Sequence, residues 1–387
     1  MNILSLTFHV LHVSDKTNWS FIRVASDDGK NGWGECSLNG WETLQREYAL
    51  KFAAEVASYK FDSIVDVAAV CRLNLHSPGG LIEHSIKSAT EQALLDLLAQ
   101  HHAVPLWQLF GAPKRPSVEV YANINRATRP RTPEGFATSA SAAIRAGFAA
   151  IKLAPFDGVL PTNAETAAGS VLIDAALARI RAVREAVGFD VQVMVDCHWR
   201  LTPKTARHVL DALREVKLHW LECPISEQPK CHADIRAIRD YANAQEVRLA
   251  GAEMQSEVEG FRPFIEGGLY DTIMPDVKYC GGVGPLLRIA GLASKHGVQT
   301  APHNPTGPIC NFASLQACIV GSDCDFLELQ VGESALFVGA VHGSVPTFQR
   351  GAYKMPDAAG LGAAVDMHAL DAHPFAPVIG GLDPSLG

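Results

Sequence analysis

From residue 117 onward, eight short apolar runs recur, most of them closing on a polar or charged residue. They read VEVYANI, AAIKLAP, VQVMVD, LHWLECP, RLAGAE, DTIMPD, VQTAPH and DFLELQ. Between them lie amphipathic helical stretches such as AALARIRAVREAVG and PKTARHVLDALREV. Short buried strands alternating with helices predict parallel βα units. Eight of them in roughly 230 residues predict closure into a (β/α)8-type barrel, for which about 250 residues is typical.

The remainder of the chain follows a different pattern. ILSLTFHVLHV alternates as a strand, and WSFIRVASDDGKNGWGE carries a hairpin turn at Asp27-Asp28-Gly29-Lys30. HSIKSATEQALLDLLAQHH (84–102) places Ile86, Ala89, Ala93, Leu94 and Leu97 on one helical face. Strands followed by helices predict an α+β unit over residues 1–115, with the barrel over 116–345. A Gly/Pro-rich segment, 346–387, is expected to return to the first unit. A chain of 387 residues that is 48% hydrophobic can bury a core of this size. A net charge of −8 with no basic run argues against a nucleic-acid partner. No apolar run reaches the roughly 18 residues of a membrane span, and no signal-peptide pattern opens the chain. Nine scattered cysteines without a CxxC pair predict neither a disulfide framework nor a zinc knuckle. A cytoplasmic protein is expected.

The residues closing the strands are Lys152, Asp196, Glu222, Glu253, Asp276, His303 and Glu328. From Asp196 to Glu328 the intervals are 26, 31, 23, 27 and 25 residues, each about one βα unit. Every side chain is therefore expected at the C-terminal rim of the barrel, where such folds build active sites. Asp196, Glu222 and Glu253 would converge from three neighbouring strands. Three carboxylates in one crevice repel unless a cation neutralises them, and all-oxygen ligands suit a hard dication such as Mg2+. A helix cap or a surface ion pair is the alternative for any single one of these acids. Asp276 on the adjacent strand can accept the His303 imidazole N–H, which would leave His303 as a general base. Glu328 is expected as a protonated donor to a developing oxyanion, with an ion pair to an arginine as its alternative.

Taken with SATEQALLDLLAQHHAVPLWQLFGA, MVDCHW, LECP, GAE, MPDVKYCGGVG and APHNPTGP, this set resembles the mandelate racemase branch of the enolase superfamily over nearly the whole chain. The resemblance implies an α/β fold, a (β/α)7β modified TIM barrel under an N-terminal α+β cap completed by the C-terminal segment. It implies Mg2+ on Asp196, Glu222 and Glu253, with His303–Asp276 as the base. The shared chemistry it implies is removal of the proton α to a carboxylate, with the enediolate held by the metal; Lys152 or Glu328 aimed at the same oxygens would add to that stabilisation. It also implies a homo-oligomer, dimer or octamer.

One departure sharpens the expectation. Many members carry Lys-x-Lys on the second barrel strand, and here the segment is Lys152-Leu153-Ala154. Alternation keeps 152 and 154 on one face, and Ala154 carries no proton, so two-base racemisation is not expected. Asp196-x-His198 puts a second imidazole beside the metal ligand. DCHWR with APHNPTGP most resembles the galactonate dehydratase group, in which the matching His is a general acid. The expected function is a Mg2+-dependent dehydratase of a small-molecule sugar acid, with His198 protonating the leaving β-hydroxyl or, alternatively, only orienting Asp196. A cycloisomerase using the same enolisation, and more distantly a non-catalytic binding protein, are the rival expectations. Trp19 and Trp41 in the cap, with Asn123, Asn125 and Arg200 in the barrel, are candidate substrate contacts, each Trp being equally suited to packing between the two units.

Overall fold

A computed structural model describes residues 1–73, 80–324 and 326–379. Of the sequence expectations, Asp325 in the last strand run and the final residues 380–387 lie outside the described residues. The chain opens with an antiparallel sheet of β1 (Ile3–Ser14), β2 (Thr17–Ser26) and β3 (Asn31–Glu35). The β2–β3 turn falls at the Asp-Asp-Gly-Lys stretch, with Gly29 at φ 81°. Helices α1 (Glu42–Val56), α2 (Ile64–Cys71) and α3 (Leu81–His101) follow. Most of α3 is buried. It lies directly on β3, because Gly32 and Gly34 present no side chain there. A Cβ at these positions would stand 2.0 Å from the Ala93 carbonyl oxygen and 1.9 Å from that of Ala89.

The eight apolar runs become eight parallel strands. These are β4 (Ser117–Asn123), β5 (Ala150–Leu153), β6 (Gln192–Asp196), β7 (Trp220–Glu222), β8 (Arg248–Gly251), β9 (Thr272–Ile273), β10 (Gln299–Thr300) and β11 (Phe326–Gln330). Each of β4 to β9 pairs with the next, and β11 pairs with β4, Glu328 opposite Tyr121. The helices between them are α4 (Pro133–Arg145), α5 (Ala167–Val187), α6 (Pro203–Ala212), α7 (His232–Asn243), α8 (Glu257–Glu266), α9 (Val283–Lys295) and α10 (Pro308–Val320). Local chemistry starts several of them. Thr132, Thr166 and Thr202 each cap a helix by accepting a backbone N–H, and Pro133 and Pro203 occupy the opening turns.

After the eighth strand the helix shrinks to α11 (Leu336–Gly339), four residues long. Short strands β12 (Val341–Gly343), β13 (Phe348–Gln349), β14 (Ala352–Lys354) and β15 (Ala363–Val365) and helix α12 (Met367–Ala372) complete the described chain. This segment touches the cap. Leu361 N–H donates to Asp96 Oδ1 at 2.8 Å, the Trp107 indole N–H donates to the Pro356 carbonyl at 2.8 Å, and α12 lies against β1. The architecture is an α+β cap seated on a modified barrel, as the sequence predicts.

Candidate active site

The barrel interior is built in layers. Tyr121, Ala150, Met194, Trp220, Ala250, Met274 and Ala301 form one cluster, joined by Phe326, one residue from each strand or from just past its end. This apolar floor fixes what lies above it, because side chains two apart on a strand share a face. Two residues above these floor positions stand Asn123, Lys152, Asp196, Glu222, Asp276, His303 and Glu328. Six of the seven are nearly or fully buried, and His303 is 13% exposed at its side chain. The fifth barrel strand, β8, breaks the rule. Ala252 takes the place two above Ala250, but its φ of 70° is left-handed, and Glu253 is the residue that reaches the cavity. His198 at φ 47°, Trp199 at 56° and Cys223 at 43° share this conformation around the same rim. Left-handed non-glycine residues gathered in one place are a mark of functional strain.

Four carboxylates, Asp196, Glu222, Glu253 and Glu328, share this buried layer with one ammonium. Lys152 Nζ lies 2.6 Å from Glu222 Oε1 and 2.8 Å from Glu328 Oε1, and 5.5 Å over the Tyr121 ring. Burial, with Asp196 and Glu328 close by, pushes Glu222 up to about 8 against the pull of Lys152. Glu253 too is held well above the ordinary carboxylate range, by burial and by Asp196 and Glu222. Beyond the Cys223 thiol at 3.9 Å and the His303 imidazole at 3.6 Å, Glu253 has no polar partner among the described residues. Glu328 behaves otherwise. Burial raises it, but Lys152 outweighs that, and Asn123 Nδ2 and the Asn304 N–H also donate to it. An acid with three donors is an ionised acceptor, so the expected protonated donor is not what the structure builds, and its ion-pair partner is a lysine rather than an arginine.

Among the described residues, no three His, Cys, Asp or Glu side chains stand together ready to hold a metal ion. The reason is visible: Glu222 leans to Lys152, Asp196 Oδ2 accepts from His198 Nε2 at 2.7 Å, and Glu253 faces His303. The donor set nevertheless fits a dication. Four buried acids against one lysine leave an excess of negative charge, and the least compensated of them, Glu253, borders the cavity.

His198 follows the third barrel strand and His303 the seventh, so they face each other across the mouth of an eight-stranded ring. His303 Nδ1 is 2.8 Å from Asp276 Oδ2. Burial lowers the basicity of His303, and the Asp276 hydrogen bond works against that. The His198 backbone N–H also donates to Asp196 Oδ1 at 2.9 Å.

Above this layer the cap and barrel loops enclose a cavity of about 1010 Å³, lined by His198, Arg200, Glu253, His303 and Asn125 among others. Trp19 lines it too, but is 2% exposed, wedged against Gly307 and edge-on to Phe337 at 6.2 Å. It packs cap to barrel. Trp41 is half-buried beside Leu38, Trp199, Met254 and Tyr279. Asn123 serves Glu328 and accepts from the Asn125 N–H, and Asn125 Oδ1 in turn accepts from Arg131. Arg200 donates to the Phe156 carbonyl at 2.6 Å. Ala154 borders the cavity with its methyl group.

Several residues that organise the site were missed. Glu35 in β3 is buried and accepts from Ser37, Thr306, the Gly307 N–H and the Cys310 N–H, clamping the loop that follows His303 to the cap. Glu91 in α3 accepts from the Val283 and Gly284 N–H groups at the start of α9. Thr17 and Arg126 both donate to Glu333, tying the β1–β2 turn to the loop after the eighth strand. Lys278 lines the cavity beside Asp276. Only Lys278 had a signal within reach: its place two residues after Asp276 repeats the Asp196-x-His198 pattern.

Residues 135–369 match the enolase C-terminal domain-like family, and residues 7–111 match the mandelate racemase/muconate lactonizing enzyme N-terminal domain. The chain is a member of the enolase superfamily. Within this superfamily it is 27% identical over 357 residues to a D-galactonate dehydratase of Ralstonia nicotianae, covering 90% of this chain and 89% of that one. It is also 27% identical to a D-xylonate dehydratase of Haloferax volcanii, over 92% of this chain and 85% of the relative. A mandelate racemase/muconate lactonizing enzyme structure from Jannaschia superposes with a TM-score of 0.85 at 21% identity, over 97% and 98% of the two chains. The 3,6-anhydro-D-galactonate cycloisomerase of Zobellia galactanivorans superposes at 0.82 with 22% identity, over 96% and 99%. At these identities the two structures establish the shared fold.

Proposed function

We propose that this enolase-superfamily member is a Mg2+-dependent acid-sugar dehydratase, converting an aldonate or aldarate to a 2-keto-3-deoxy acid. The observation that carries the proposal is the buried excess of carboxylates at Asp196, Glu222 and Glu253 beside the His303–Asp276 pair, with Glu253 and His303 lining one cavity. The dehydratase names of the two relatives support it.

Asp196, Glu222 and Glu253 would hold the ion. When bound, Mg2+ supplies positive charge against the second negative charge that a carboxylate acquires on losing its α-proton. His303 takes that proton. With Asp276 as acceptor, the imidazole carries its hydrogen on Nδ1 and keeps the Nε2 lone pair for the substrate. As the α-C–H electrons form the enol, the β-C–O bond breaks, and His198 across the mouth supplies the proton with which the hydroxyl leaves as water. The enol then becomes the keto acid. Lys152 adds fixed positive charge beside Glu222 and Glu328. The Thr17–Glu333–Arg126 contact holds the cap turn over the mouth and limits water.

A library of aldonic and aldaric acids, incubated with Mg2+ and assayed with semicarbazide for keto acid, tests the proposal. At least one acid sugar should yield keto acid, and chelation should stop it. A product of unchanged mass would point to cycloisomerisation. No product, together with no α-proton exchange in deuterated water for any acid, would overturn the assignment as an enolising enzyme.

A further inference from the structure

Lys278 is 3% exposed, and its ammonium has one ion-pair partner among the described residues, Asp276. Nζ lies 2.5 Å from Asp276 Oδ2, the oxygen that His303 Nδ1 approaches at 2.8 Å. The Lys278 backbone N–H donates to the other oxygen, Oδ1, at 2.8 Å. The side chain runs over the Tyr279 ring, 4.6 Å from its centre, and borders the cavity.

This arrangement bears on which nitrogen of His303 carries the hydrogen. Asp276 is fully buried, and burial alone favours the neutral acid. A protonated Asp276 could turn Oδ2 into a donor. His303 Nδ1 would then accept, Nε2 would carry the hydrogen, and the imidazole would face the cavity with no lone pair to take a proton. Lys278 closes that route. Its two donors and the His303 N–H occupy both carboxylate oxygens, leaving Asp276 as an acceptor only.

We propose that Lys278 is a positioning residue that acts through Asp276 to fix His303 as the Nδ1–H tautomer, its Nε2 lone pair held toward the cavity. The inference rests on His303 being the base of the proposed reaction, and one arm of its test needs no substrate.

In protein labelled with [15N]histidine, the resonances missing from His303→Asn identify His303. The wild type should show a protonated Nδ1 and an unprotonated Nε2. Lys278→Met, which keeps the packing over Tyr279, should move His303 toward the opposite tautomer or a mixture. With a sugar acid that is turned over, Lys278→Met should slow α-proton exchange and kcat together, by about 10²-fold or more with KM within a few-fold, since a wrong tautomer in another triad costs roughly 10⁴. Lys278→Arg should recover most of that loss. Adding Lys278→Met to Asp276→Asn should slow the enzyme no further, because the lysine acts through the aspartate. Lys278→Gln carries the same readouts should Lys278→Met fail to fold. Unchanged His303 resonances in the Met or Gln variant, or exchange near the wild-type rate, would overturn the role of Lys278. Near wild-type turnover in His303→Asn would instead overturn the base assignment and leave the tautomer result standing.

Discussion

Replacing Lys152 by Met removes the one ammonium among Asp196, Glu222, Glu253 and Glu328. Lys152 is 1% exposed and pairs with two of these acids at 2.6 and 2.8 Å. Exchanging both partners of a buried pair for apolar groups can be neutral, but removing one strands the other, typically at about 3–5 kcal/mol. Unfolding entropy of about 2.1 cal/mol/K per residue, over 387 residues, gives roughly 0.8 kcal/mol/K. The apparent Tm in EDTA should therefore fall by about 4–6 °C. The sign reverses for metal binding. With Lys152 gone, the carboxylates present a more negative site, Mg2+ should bind more tightly, and the Mg2+-induced rise in Tm should exceed that of the wild type by mass action. Turnover should be lost all the same. Calorimetric scans of both proteins in EDTA and across a Mg2+ series measure each quantity. A Lys152→Met protein as stable as wild type in EDTA, with no larger response to Mg2+, would refute the claim that these acids form an under-compensated charge trap.

His198→Asn should abolish dehydration while α-proton exchange into deuterated water continues; loss of both would assign His198 to supporting Asp196. Gly282→Ala should destabilise the protein by about 1–3 kcal/mol in chemical denaturation, since φ is 103° and a Cβ would stand 2.2 Å from Glu91 Oε2. Glu91, pushed up to about 7 chiefly by burial, keeps its proton in the folded state where the unfolded chain releases it near 4.5. Its contribution is therefore whole below about pH 4.5 and falls away as pH rises through 7, by up to about 3 kcal/mol, and Glu91→Gln should flatten that slope in denaturation midpoints. Glu35→Ala should cost about 2–4 kcal/mol, because it strands buried donors from Thr306, Gly307 and Cys310; Tm and kcat should fall together as the loop after His303 loosens.

The sequence by itself determined the barrel. A strand buried on both faces must be an apolar run, and the first polar residue past its floor position must stand at the rim, so Asp196, Glu222, Asp276, His303 and Glu328 were legible from spacing alone. Glu253 was found by spacing too, but what brings it to the cavity is the left-handed turn at Ala252, a backbone choice that no alternation pattern encodes. The tertiary structure alone decided how the charges pair. Which cation faces which carboxylate depends on side chains from strands far apart in sequence, and so Lys152 joined Glu222 and Glu328, and Glu328 became an acceptor. The same holds for the seams between cap and barrel. Glu35, Glu91 and Glu333 look like ordinary surface acids in the sequence, and only folding buries Glu35 and Glu91 against the N-terminal N–H groups of α10 and α9.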